Sequence, residues 1–64
     1  MEFKVQHSGS AGIEWKTICT NPSKEYVTEV FEKNVKLAAI GRFRILDPND
    51  KVLIEKQKTL FSDN

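Results

Sequence analysis

The sequence is poor in the residues that build most metal sites and crosslinks. Its 64 residues include one cysteine, Cys19, and one histidine, His7. A single cysteine excludes an internal disulfide, and one cysteine with one histidine is too few for a four-ligand zinc site. Short chains commonly need a disulfide, a bound metal or self-association to be stable. The sequence therefore predicts either an efficient small core, for which 39% hydrophobic residues suffice, or association with itself or a partner.

Long apolar runs are missing as well. No stretch approaches the roughly 20 residues that cross a bilayer, and the N-terminal MEFKVQHSGS has no apolar signal core. A lone free cysteine agrees with a reducing compartment. We therefore expect a cytoplasmic protein. A formal charge of +1 with 30% charged residues is more balanced than in a dedicated nucleic-acid binder.

Catalytic equipment is sparse. A nucleophile needs a base within hydrogen-bond reach, whereas His7 and Cys19 fall at diverging ends of two predicted strands. We expect Cys19 to be a small buried hydrophobe and His7 a solvated loop residue. The turn sequence DPND lacks the spacing of a calcium loop, and GSAG lacks the lysine of a phosphate-binding loop. The prediction is a protein with no enzymatic activity, no cofactor and no metal.

Alternating apolar and polar residues predict two strands near the N-terminus, MEFKVQHS and GIEWKTICT. The small segment Gly9–Gly12 is expected to form the loop between them. The residues expected to share one side of these strands are Met1, Phe3, Val5, Ile13, Trp15, Thr17 and Cys19.

The segment TNPSKE predicts the start of a helix. Asn21 suits the N-cap and Pro22 the first helical position. Apolar residues then recur at spacings of three and four, which is typical of an amphipathic helix ending near residues 37–39. The predicted apolar stripe is Val27, Val30, Phe31, Val35 and Ala38.

Two further strands are predicted from IGRFRIL and KVLIEKQK. Asp47 and Pro48 suit the first two positions of a type I turn between them. With Leu46 and Lys51 closing the turn, the predicted cross-strand pairs are Ile45–Val52 and Phe43–Ile54 on one face, and Arg44–Leu53 and Arg42–Glu55 on the other.

The element order predicts an α+β fold of ββαββ type, a four-stranded antiparallel sheet with one helix packed on one face. Residues 1–64 would form one domain, in which residues 58–64 are either a flexible tail or a segment that returns Leu60 and Phe61 to the core. The predicted core is Phe3, Val5, Ile13, Trp15, Val27, Val30, Phe31, Val35, Phe43, Ile45, Val52 and Ile54.

The sheet face away from the helix is called the open face. The residues predicted to lie on it are Glu2, Lys4, Gln6, Glu14, Lys16, Ile18, Arg42, Arg44, Leu53 and Glu55. The charges could simply be solvated and discourage aggregation. The bases could contact phosphates, but single-strand binders usually add aromatic residues for stacking. The alternation places Phe3, Trp15 and Phe43 on the helix side.

A protein interface is the third interpretation, because arginine is enriched at interfaces and binds carboxylates through its planar fork. We predict a small non-enzymatic protein that binds another protein or complex as an interaction, inhibitor or accessory module. Compact proteins of phages and mobile elements share this size and lack of chemistry. Nucleic-acid binding is the alternative, and an edge strand could also form a homodimer. The predicted partner-binding residues are Lys4, Lys16, Ile18, Arg42, Arg44 and Leu53.

Overall fold

A computed structural model describes residues 1–9, 14–38 and 40–58. Its elements are β1 (Phe3–Ser8), β2 (Lys16–Asn21), α1 (Lys24–Leu37), β3 (Gly41–Leu46) and β4 (Val52–Lys58). The strands form one antiparallel sheet in the order β2-β1-β3-β4. The predicted ββαββ fold is confirmed, with β1 and β3 in the centre and β2 and β4 at the edges.

Three predictions fall outside the described residues. They concern most of the loop expected at Gly9–Gly12, the core position of Ile13, and the fate of Leu60 and Phe61. Lys58, where the predicted tail begins, is the last residue of β4.

The core lies between α1 and one face of the sheet. Its buried cluster is Val5, Val27, Phe31, Phe43 and Ile45, and the partly buried residues packed against it are Phe3, Cys19, Val30, Val35 and Ala38. The predicted apolar stripe of the helix therefore does face the sheet, and Cys19 does pack against the core. Burying one such large side chain contributes about 1.5–3 kcal/mol, so each member of this small cluster matters.

The helix begins two residues later than predicted. Ser23 is the N-cap, and its hydroxyl accepts a hydrogen bond from the Tyr26 amide at 3.2 Å. Asn21 is instead the last residue of β2, held opposite Phe3 in the ladder. Its side-chain oxygen accepts from the Ser23 amide at 2.8 Å, which is a local turn that asparagine favours. The predicted Asn21 cap is wrong because the strand retains that residue.

A β-bulge interrupts the pairing of β1 with β2. Val5 lies opposite Cys19, but the next residue, Gln6, lies opposite Thr17. Ile18 is therefore an extra residue in β2. One extra residue exchanges the faces of all the residues between the bulge and the loop. Thr17 thus lies on the open face, although the alternation predicted it on the helix side.

A second bulge interrupts the pairing of β3 with β4. Ile45 lies opposite Ile54 and Leu46 lies opposite Val52, so Leu53 is the extra residue. The predicted pairs Ile45–Val52, Phe43–Ile54, Arg44–Leu53 and Arg42–Glu55 are wrong. The observed pairs are Phe43–Lys56, Arg44–Glu55 and Arg42–Gln57.

The turn explains part of this shift in register. Asp47 and Asp50 are joined by a backbone hydrogen bond of 2.9 Å across the predicted turn. The Asp47 amide also donates to the Lys51 carbonyl at 2.8 Å, so Asp47 rather than Leu46 closes the turn with Lys51. Asp50 has a φ of 65°, in the left-handed region that aspartate tolerates better than most residues. The turn thus contains one residue fewer than predicted, which shifts the register by one residue, and the bulge at Leu53 shifts it by a second.

Candidate binding site on the open face

Trp15 lies on the open face of the sheet. The register continues from Thr17 to Lys16, which is opposite His7, and the next residue, Trp15, returns to the open face. There the Arg44 guanidinium carbon lies 4.0 Å from the indole centroid and that of Arg42 lies 5.0 Å away. The predicted core position of Trp15 is wrong, because the bulge at Ile18 turns it over. Trp15, Arg42 and Arg44 are called the Trp15 cluster.

Arg44 is held by a row of side chains that crosses three strands. Its Nε donates to the Gln6 Oε1 at 2.8 Å, and the Gln6 Nε2 donates to the Thr17 hydroxyl at 3.0 Å. These residues are cross-strand neighbours on β3, β1 and β2. A guanidinium over an indole contributes about 0.5–1 kcal/mol at an exposed site. Arg44 is thus oriented both by a hydrogen bond and by a ring.

Positive charge on the open face is concentrated at the two arginines. Lys4, also on this face, is paired with Asp50 of the turn at 3.0 Å between the Nζ and Oδ1 atoms. Its side chain reaches past Leu46, its cross-strand neighbour, which is 4% exposed. Glu55 lies opposite Arg44 on β4. The Trp15 cluster is therefore bordered by carboxylates on the β4 side.

The bulges remove half of the predicted partner-binding residues from the open face. Lys4, Arg42 and Arg44 share that face, as expected from the sequence. Lys16 lies opposite His7 on the helix side, because it is on the loop side of the bulge in β2.

Ile18 and Leu53, the predicted apolar centre of the open face, also point to the helix side. Ile18 lines a cavity of about 250 Å³ together with Leu37 and Ala38 of the helix C-terminus. Leu53 lines a second cavity, of about 240 Å³, together with Phe31 of the helix. Their predicted position is wrong because both are the extra residues of bulges.

Three residues of the observed site were not among the predicted partner-binding residues: Trp15, Thr17 and Gln6. The one feature of the sequence that could have indicated the bulge in β2 was Thr17. The alternation placed its hydroxyl on the helix side, where a buried hydroxyl without a hydrogen-bond partner costs free energy. The bulge removes that conflict by placing Thr17 against Gln6.

His7 is a strand residue rather than a loop residue. It belongs to β1, is partly buried, and its ring stacks on Phe43 with centroids 4.7 Å apart. The prediction of a solvated loop position is wrong because β1 continues through Ser8, which is 1% exposed. Among the residues that the structure describes, no three His, Cys, Asp or Glu side chains are grouped as a metal site would require.

No protein-family model, curated protein or solved structure matches the chain. In the ranges 1–9, 14–38 and 40–58, no helix has both the length and the apolar character to span a membrane.

Proposed function

We propose that this is a small non-enzymatic protein that binds another protein through the Trp15 cluster, acting in the cytoplasm as an interaction, inhibitor or accessory module. The observation that carries the proposal is an indole held against two guanidinium groups on the open face. Tryptophan and arginine are the residues most enriched among those that dominate binding energy at protein interfaces.

The cluster combines the properties that an interface centre needs. Trp15 supplies a large apolar surface with few rotatable bonds, which replaces the centre predicted from Ile18 and Leu53. Arg44 is already restrained by Gln6 and by the ring. Since less side-chain entropy remains to be lost on binding, such preorganisation favours affinity.

The charges favour an acidic partner surface. Arg42 and Arg44 project from the same strand, β3, two residues apart. Around them, Glu55 and the Lys4–Asp50 pair provide a border of mixed charge. Complementary charges of this kind increase association rates and exclude wrong partners.

Nucleic-acid binding is a second candidate that one observation favours. Trp15 supplies the open face with the aromatic residue that the sequence pattern lacked, and stacking on such a residue is worth about 1–3 kcal/mol per base. The carboxylates of Glu55 and Asp50 count against it, because a strand of phosphates crossing the face would meet them.

The proposal is tested by quantitative capture of partners from a lysate of the native cell. We expect Trp15→Ala, or Arg42→Glu combined with Arg44→Glu, to reduce capture of a partner at least about tenfold, the equivalent of 1.4 kcal/mol. The matched control is Lys33→Glu with Lys36→Glu on the exposed face of α1, which should capture the same partner at the wild-type level.

Equal capture by the wild-type protein and both open-face variants would exclude this face as the binding surface. Binding of an oligonucleotide that falls steeply with salt, with no protein captured, would instead establish the second candidate.

A further inference from the structure

We infer that Arg44 is the anchor of this surface and that it receives one carboxylate of the partner, an aspartate or glutamate side chain, through the two terminal nitrogens of its guanidinium. This inference rests on the proposed function and identifies the chemistry by which the partner is recognised.

The hydrogen-bond pattern of Arg44 leaves one edge for a ligand. A guanidinium has five N–H donors. The Nε donor is used by Gln6 at 2.8 Å, and within the described residues the terminal nitrogens have no hydrogen-bond partner. Those two nitrogens form the fork that matches the two oxygens of a carboxylate.

The orientation of that fork is fixed by contacts of two kinds. The Gln6 amide accepts from Arg44 and donates to Thr17, and its orientation is determined by Arg44, which can only donate. Trp15 covers the plane of the guanidinium at 4.0 Å. The indole shields one side of the guanidinium from water, and this strengthens an ion pair formed by the terminal nitrogens.

The local charge favours a single carboxylate over a chain of phosphates. Phosphate backbones are bound by several lysines or arginines along a path. Here Lys4 is paired with Asp50, and Glu55 lies beside Arg44 on the edge strand. The fork of Arg44 is therefore flanked by carboxylates rather than by further bases, which suits one anionic group better than a row of phosphates.

The test uses the fluorescence of Trp15, which is the only tryptophan in the chain. The probe is a blocked pentapeptide with two glutamates and no aromatic residue, titrated at constant ionic strength. We expect a saturable change with the wild-type protein. Arg44→Lys keeps the charge but lacks the fork, and it should weaken peptide binding at least about tenfold. Lys33→Arg, a charge-conserving control on the exposed face of α1, should leave peptide affinity within about twofold of the wild type.

Three results would overturn the inference: no saturable change with the wild-type protein, equal peptide affinity of the Arg44→Lys and wild-type proteins, or tighter binding of an oligothymidylate carrying the same charge. Circular dichroism checks that each variant is folded. If Arg44→Lys binds the peptide with wild-type affinity while Arg42→Glu with Arg44→Glu still loses the cellular partner, then Arg44 is not the anchor and the proposed function stands.

Discussion

The β1–β2 and β3–β4 strand pairs each contain one β-bulge, but the two bulges have different consequences. Each edge strand has one extra residue, Ile18 in β2 and Leu53 in β4, and in each case that residue turns to the helix side. In the first pair, the residues brought to the open face are Thr17 and Trp15, and Trp15 meets two arginines. In the second it is Val52, opposite Leu46. The residues on the loop side of a bulge therefore decide which side chains the open face gains.

The two pairs also differ in how the helix covers them. α1 packs on β1, β2 and β3, whereas β4 is peripheral, and its Val52, Leu53 and Ile54 remain 41–48% exposed. Bulges and lysines on an edge strand discourage pairing with other chains, and β4 has a bulge as well as Lys56 and Lys58. Dimer formation through an edge strand stays a prediction, and sedimentation at several concentrations would test it.

The largest expected loss of stability is at Gly41 of β3, which lies close to His7 and Ser8 of β1. Gly41 has a φ of +130°, and a Cβ there would lie 2.9 Å from the His7 Nε2 and 3.2 Å from the Ser8 carbonyl oxygen. We expect Gly41→Ala to lower the free energy of unfolding by about 1–3 kcal/mol, because of backbone strain and this close approach. Urea denaturation measures the loss.

Gly9→Ala is the matched control for Gly41, because nothing lies within 4 Å of a Cβ at Gly9. We expect its free energy of unfolding to stay within about 1 kcal/mol of the wild type. Equal midpoints for the two variants would show that β1 and β3 do not approach at Gly41 as described.

The next largest effect is expected in the interaction energy between Trp15, next to β2, and Arg44 of β3. This contact links the two strand pairs. A double-mutant cycle with Trp15→Leu and Arg44→Met should give an interaction energy of about 0.5–1 kcal/mol, as expected of a guanidinium over an indole. The same cycle on Arg42 and Glu55, the pair predicted from the sequence, should give less, since Arg42 lies opposite Gln57. A larger coupling for Arg42 with Glu55 would favour the register predicted from the sequence.

The smallest expected effect is at the ion pair between β1 and the β3–β4 turn. Asp50→Asn keeps a residue that tolerates a φ of 65° but removes the charge opposite Lys4. Since the two side chains are 37% and 66% exposed, we expect a loss of less than about 1 kcal/mol in unfolding free energy. Thermal unfolding at low and high salt measures it. A larger loss that persists at high salt would mean that the pair is not a solvent-screened surface contact.

Much of the fold could be predicted from the sequence, because it follows from periodicity. The alternation in β1 and β3 placed Val5, Phe43 and Ile45 in the core, and the three- and four-residue spacing placed Val27 and Phe31 against them. These central elements contain no bulge, so their pattern and their faces agree.

The candidate site could not be predicted, because it depends on a single extra residue in an edge strand. Within KTICT, the hydroxyl of Thr17 on the predicted core side is the single hint of a bulge at Ile18, and it does not by itself distinguish the two registers. Strict alternation therefore kept Trp15 with Cys19, and it paired Arg42 with Glu55. The first error comes from the extra residue Ile18, and the second comes from the shorter turn together with the extra residue Leu53.

The central claim is that the bulge in β2 places Trp15 on the open face against the arginines. Nuclear Overhauser effects from the Trp15 indole protons test it most directly. We predict contacts to the side-chain methylenes of Arg44 and Arg42, and none to the methyl groups of Val27. Contacts from the indole to Val27 or to the ring of Phe31, without contacts to the arginines, would contradict it.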